Sequence, residues 1–265
     1  ISITSIIGTY GFNLFCISLF ISPAIFFLRE TKKDILVSGV FIIMISIFYI
    51  YGSSYENKFK ASKINTSDFK IRIIGSNISL DRFYKEIDSV SVIKDLIEIS
   101  DPKKEEKIIF VWPEGILPDI MQNDLVKYNW LLNERFNDNH LLVIGINSQF
   151  KDQEVTNFYN SLSIYDHNLR LIKSYNKINL VPFGEFLPFE NVLKKIGLKS
   201  ITNNYQSFSK GDSRDIIKIQ NKNFSLKFLP LICYEIIYSG KIFNDNNFDF
   251  IINISEDGWF GKSVG

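Results

Sequence analysis

LPLICYEI, Leu229–Ile236, is four apolar residues that end abruptly at a thiol, a phenol and a carboxylate. With the residues before it, FSLKFLPLIC (Phe224–Cys233) reads as a strand running straight into Cys233. Two other segments repeat the pattern. IIFVWPEG (Ile108–Gly115) is a buried strand broken by Pro113, and it presents Glu114. YNKINLVPFGEF (Tyr175–Phe186) carries Lys177 and Glu185. Strand ends are where sheet proteins hold reacting groups, because the sheet is rigid and the loops admit substrate.

Working outward, the spacing predicts alternating elements. KIRIIG (Lys70–Gly75) is a first strand, and apolar residues at helical spacing predict a helix over Leu80–Ile99. A second helix is predicted over Asp119–Asn137, and LLVIGI (Leu141–Ile146) is a strand. Asn160–Tyr165 and Leu169–Tyr175 read as a hairpin, and FDFIINI (Phe248–Ile254) as a last strand. Strands alternating with helices, with hairpins added, indicate an α/β sandwich.

Upstream, the chain changes character. Residues 1–28 and 35–55 contain no charged side chain. Two transmembrane helices are predicted, at about 3–28 and 35–52, since a span needs about 20 apolar residues. The loop 29–34 between them holds Arg29, Lys32 and Lys33, which favours a cytoplasmic loop and places residues 56–265 on the other face. A signal peptide fits the first run less well, because no basic start precedes it and a second apolar run follows. The chain opens on Ile inside an apolar stretch and stops soon after a motif-like segment, so it reads as an internal piece of a longer protein.

Charge balances at 30 basic against 29 acidic residues, which gives no electrostatic preference for nucleic acid. The two cysteines, Cys16 and Cys233, suggest no disulfide framework. His140 and His167 have no ligand-like neighbours at metal spacing, so neither a metal nor a cofactor is expected. No phosphate-cradling glycine loop is present, and Gly145 and Gly184 are isolated.

Singly, each reactive residue has a plainer reading. A Cys after LPLI is most often a small buried hydrophobe, a Glu after Pro can cap a helix, and a Lys is usually solvated. Together they are chemically complete. A thiol is a weak nucleophile unless a base takes its proton or a cation stabilises the thiolate. Glu114 can be that base, and Lys177 can stabilise both thiolate and oxyanion. The N–H of Tyr234 is a natural second oxyanion donor.

WPEG (Trp112–Gly115), NKINLVPFGEFLP (Asn176–Pro188) and CYE (Cys233–Glu235) together resemble the Glu–Lys–Cys triad of the nitrilase, or carbon–nitrogen hydrolase, superfamily. Within it the chain is most similar to the apolipoprotein N-acyltransferases. SEDGWFGKSVG (Ser255–Gly265) is similar to their Trp-Phe-Gly segment, and GTYGFN (Gly8–Asn13) to their late membrane region.

The resemblance implies a four-layer αββα sandwich preceded by transmembrane helices, in the bacterial inner membrane, with the catalytic domain facing the periplasm. It implies Glu114 as general base, Lys177 as oxyanion and thiolate stabiliser, and Cys233 as nucleophile. Glu185, Tyr234, Glu235 and Trp259 would support the site or bind substrate. The implied partners are a phospholipid acyl donor and an apolipoprotein acceptor. Two other functions share the triad: a membrane-tethered amidase or nitrilase, and an inactive lipid- or partner-binding domain. The family often has Asn-Asp before Ala-Trp-Phe-Gly, whereas this chain has Ser255-Glu256-Asp257-Gly258.

Overall fold

The computed structural model describes residues 3–28, 31–62, 67–83, 85, 88–152, 155–189, 207–238, 242, 247–256 and 258. It divides into two compact units, residues 1–66 with 239–241, and the rest.

The first unit is a helical hairpin. Helix α1 spans Thr4–Leu28, with a kink at Gly8 (φ 70°) and Pro23 inside it. Helix α2 spans Lys32–Ala61 and starts with the Thr31 N–H donating to Asp34 Oδ2 at 2.9 Å. The helices meet through Phe15, whose ring lies 6.0 Å from Phe41 and 4.6 Å from Phe48. Most other large side chains point away from the hairpin; Phe20 and Phe27 are 82% and 90% exposed. Both helices are long and apolar enough to cross a bilayer. Helix α2 runs beyond the predicted 35–52 through the polar segment to Ala61.

The second unit is a layered α/β domain. Strands β1 (Lys70–Ile73), β2 (Ile108–Trp112), β3 (His140–Asp152), β4 (Val155–Tyr165) and β5 (Leu171–Asn176) form one sheet in sequential order. The first three are parallel, then β3–β4 and β4–β5 are antiparallel. Strands β6 (Ile217–Gln220), β7 (Ser225–Ile232) and β8 (Phe250–Ile254) form the second sheet, with β7 central.

The period-2 alternation of strand side chains builds two cores from one sheet. Ile108, Phe110 and Trp112 of β2 join Leu142 and Ile144 of β3 against helix α3 (Ser89–Ser100), which offers Ile93, Leu96 and Ile97. Ile109, Val111, Leu141 and Val143 face the other way, onto Ile217, Leu226, Phe228 and Ile252 of the second sheet. The layers are therefore helix, sheet, sheet, a nitrilase-like sandwich; the fourth layer of the expected αββα stack is not represented among the described residues.

Two predicted helices differ. Leu80–Ile99 is a 3-10 turn at Leu80–Phe83 followed by α3. The break comes at Asp88, whose carboxylate accepts the Val90 N–H at 3.0 Å and starts the helix afresh. Asp119–Asn137 is turns with only a 3-10 segment at Leu125–Leu131. Asn and Asp there favour turns over helix interior, while Leu125, Leu132 and Phe136 still reach the core. Strand β6, which was not predicted, pairs antiparallel with β7.

Candidate active site

The ends of β2, β5 and β7 bring Glu114, Lys177 and Cys233 to one place. Gly145 of β3 makes room for the first. A Cβ there would lie 2.4 Å from Glu114 Cα and 2.6 Å from the Pro113 carbonyl oxygen. A residue that looks isolated in sequence is thus the gap through which the Pro113–Glu114 turn passes. Gly145→Ala is expected to cost about 1–3 kcal/mol, the usual range for overpacking, and to displace Glu114. Thermal unfolding, read beside Cys233 alkylation, checks both.

Lys177 follows β5 directly and is 1% exposed. Its Nζ donates to Glu185 Oε1 at 3.0 Å and to Glu114 Oε1 at 3.4 Å, and it sits 5.5 Å from the Tyr234 ring centroid. The Asn160 side-chain amide donates to the same two oxygens, both at 2.7 Å. One ammonium and one amide therefore join two carboxylates. Sequence reading missed Asn160, which begins the buried half of β4 beside two buried serines, Ser161 and Ser163. Glu185 is held in turn by the Val181 N–H at 2.9 Å.

Cys233 begins a 3-10 turn, Cys233–Ile237, at the end of β7. Its φ is 56°, in the left-handed region that a non-glycine residue occupies at a cost of roughly 1–2 kcal/mol. Fixed neighbours hold it there. Asn253 Nδ2 donates to the Cys233 carbonyl at 3.1 Å, and the Ile232 N–H donates to Glu235 Oε2 at 3.0 Å. The Tyr234 N–H and the Ser255 side chain lie near enough to the Cys233 sulfur to favour its ionised form. The sharp turn thus puts a backbone donor beside the thiol.

Glu235 is fully buried and accepts hydrogen bonds from five donors among the described residues. Its donors are Tyr175 Oη at 2.9 Å, the N–H groups of Ile178 and Asn179 at 3.1 and 3.0 Å, Ile232 N–H, and Arg214 Nη2 at 2.7 Å. It ties the turn carrying Cys233 to the two residues after Lys177. Tyr234 Oη donates to the Leu180 carbonyl at 2.7 Å. Trp259 lies outside the described residues.

The electrostatics follow from burial. Desolvation pushes the Glu114 carboxyl above the usual range, with Lys177 and Asn160 pulling against it and Glu185 adding to it. Burial raises the Cys233 thiol too, helped by Glu114 and opposed by Lys177, Ser255 and the Tyr234 N–H. Burial alone would lower Lys177, but the charges of Glu114 and Glu185 outweigh it and hold the ammonium protonated. Burial thus raises the proton affinity of both the Glu114 carboxyl and the Cys233 thiol, beside an ammonium that stays charged. Among the described residues no cluster of side chains could hold a metal ion.

A family description for carbon-nitrogen hydrolases matches residues 125–265. Apolipoprotein N-acyltransferases of Rhodopseudomonas palustris and Rickettsia prowazekii are 27% and 28% identical to the chain over 98% of its length. The chain spans about half the length of these curated relatives, 50% and 51%. An amidase from Nesterenkonia sp. AN1, of the nitrilase superfamily, superposes with a TM-score of 0.41 at 12% identity, covering 72% of this chain and 66% of that one. With more than half of its residues matched by one family, the chain belongs to the carbon–nitrogen hydrolases.

Proposed function

We propose that this chain carries the active site of a membrane-anchored acyltransferase. It moves a fatty acyl group from a phospholipid, through a thioester on Cys233, to the N-terminal α-amine of a diacylglyceryl-cysteine lipoprotein. The carrying observation is the buried Lys177 ammonium shared by Glu114 and Glu185 beside the strained Cys233 turn. The names of the relatives support the substrate class, and the two apolar helices support the setting.

Glu114 takes the Cys233 proton as sulfur attacks the phospholipid ester carbonyl. Lys177 and the Tyr234 N–H stabilise the oxyanion. The tetrahedral centre collapses, the ester C–O bond breaks, and Glu114 returns its proton to the departing lysophospholipid oxygen. The acceptor amine then attacks the thioester, with Glu114 as base again, and the C–S bond breaks as the amide forms. The released thiolate regains the proton.

A membrane anchor suits this chemistry. Both substrates carry lipid chains, and drawing them into water would cost about 0.8 kcal/mol per exposed methylene. The basic loop between the helices, with Lys32 and Lys33, supports a cytoplasmic loop. The catalytic domain then faces the periplasm across the bacterial inner membrane.

The test uses the membrane-embedded protein with phospholipid labelled in its acyl chain. The expected result is a label on the Cys233 peptide that neutral hydroxylamine removes. A diacylated lipopeptide with a free N-terminal amine should discharge it. No adduct, with release of ammonia from soluble amides, would replace this reading with a tethered amidase. No adduct and no hydrolysis would leave a binding domain.

A further inference from the structure

Arg82 is a charged side chain that sequence reading passed over, and it is 2% exposed. Its guanidinium is fully engaged. Nε donates to the Gly115 carbonyl at 3.3 Å, and Nη1 to the carbonyls of Ile78 and Ser79 at 3.0 and 3.2 Å. Nη2 forms an ion pair with Glu256. The group also lies 4.5 Å over the Phe83 ring. One residue thereby joins the turn after β2, which carries Glu114, to the segment after β8, which carries Ser255 and Glu256.

Glu256 completes the link at the site. Its own N–H donates to Glu114 Oε2 at 3.2 Å, while Asn160 and Lys177 fill both lone pairs of Oε1. Among the described residues, Oε2 has only that one donor, so it keeps one lone pair for a proton. Ser255, the preceding residue, lies near the Cys233 sulfur and favours its ionised form. Glu256 Oε1 accepts the Gly258 N–H at 2.8 Å, and a Cβ at 258 would lie 2.6 Å from that oxygen. Arg82 pins the other carboxylate oxygen, so the side chain cannot swing away. Glu256 and Gly258, the two departures from the family pattern, therefore belong together.

We propose that Arg82 and Glu256, with Gly258 leaving room for them, are positioning residues that hold the Glu256 N–H on Glu114 Oε2. The inference rests on the reading of Glu114 as the base for Cys233. Arg82 sets how readily that base ionises by two means of the same sign. It brings positive charge to the loop, and it keeps an N–H donor on the carboxylate. Both favour the ionised form. The other charged or titratable groups facing Glu114 are Lys177, Glu185, Cys233 and Glu256 itself.

The test reads the rate of Cys233 alkylation by iodoacetamide against pH in the membrane-embedded protein. Peptide mass mapping separates Cys233 from Cys16. In the wild type the rate should rise along a limb set by Glu114; a Cys233 that does not react, or lacks that limb, would instead sink the proposed base–nucleophile pair. Arg82→Met is expected to move the limb to higher pH by about one unit, a tenfold change in ionisation. Arg82→Lys, which keeps the cation, should restore most of the shift. A limb unmoved in Arg82→Met, or displaced equally in both variants, overturns the proposal, because a merely structural role would not follow the charge. If Arg82→Met does not accumulate, Gly258→Ala carries the test with both charges present. Its limb should move the same way, and a wild-type limb in that variant overturns the proposal.

Discussion

Cys233→Ala is expected to return acyl-adduct formation to the level without enzyme, while the protein still accumulates in the membrane. Removing the nucleophile of a hydrolase can cost on the order of 10⁶ in rate. Truncating this half-buried side chain removes little packing. Alanine keeps the strain of φ 56°, so the melting temperature should barely change. Cys233→Gly should separate the two effects. It ends the chemistry but fits the left-handed backbone, and is expected to stabilise the domain by about 1 kcal/mol. That corresponds to roughly 2–4 °C for a domain of this size. Cys233→Ser should be nearly as inactive as alanine, because a serine hydroxyl is far harder for a carboxylate to deprotonate. Any adduct it forms would be an oxygen ester, which resists neutral hydroxylamine. A hydroxylamine-labile adduct in Cys233→Ala would place the thioester elsewhere.

Lys177→Met is expected to damage both activity and stability. The ammonium is 1% exposed and is the cation shared by Glu114 and Glu185. Without it, two carboxylates share the Asn160 amide with no cation between them. Breaking a buried ion pair from one side typically costs 3–5 kcal/mol, or about 10 °C in melting temperature at 2–4 °C per kcal/mol. Loss of one oxyanion donor typically removes a further 10²–10³ in rate.

The pH dependence carries a definite sign. Glu114 already binds its proton more tightly in the folded state than an ordinary carboxyl does. Its contribution to stability is present below the usual carboxylate range and is lost as pH rises through the folded value. Removing Lys177 raises that value further. The melting deficit of Lys177→Met should therefore be smallest in acid and grow toward neutrality. A deficit independent of pH would show that only packing was lost. The pH at which the variant begins to accept an acyl group should also move upward, since its base then holds its proton more tightly.

Much of the molecule was legible because the strands carry their burial pattern openly. IIFVW and LLVIGI are near-continuous apolar runs, as strands covered on both faces must be, and both lie in parallel pairing inside the sheet. The hairpin of β4 and β5 followed from two adjacent runs, Asn160–Tyr165 and Leu169–Tyr175. Strand β6 escaped although Ile217 and Ile219 alternate with Lys218 and Gln220, because four residues are too short a run to stand out. The helix expected over Asp119–Asn137 failed for another reason. The stretch is rich in asparagine and aspartate, which disfavour a helix interior.

The site divides similarly. Glu114, Lys177, Cys233, Glu185, Tyr234 and Glu235 stand at strand ends or in motifs, where a linear reading finds them. Asn160, Arg82 and Arg214 do not. Each reaches at least one partner more than 20 residues away in the chain, such as Asn160 on Glu185, Arg214 on Glu235 and Arg82 on Glu256. A sequence without its relatives contains no trace of such pairings. Gly145 likewise gained meaning only when β3 was seen to run beneath Glu114.

The Glu235 carboxylate has a bearing on how the protein is made. Its donors come from β5, from the segment after Lys177, from Arg214 and from β7, up to 60 residues apart. Contacts so distant in sequence close late, because loop-closure entropy must be met first. Until they close, Cys233 has no fixed place opposite Glu114 and Lys177. On the proposed mechanism, Cys233 would gain its catalytic neighbours only with the final docking of the second sheet.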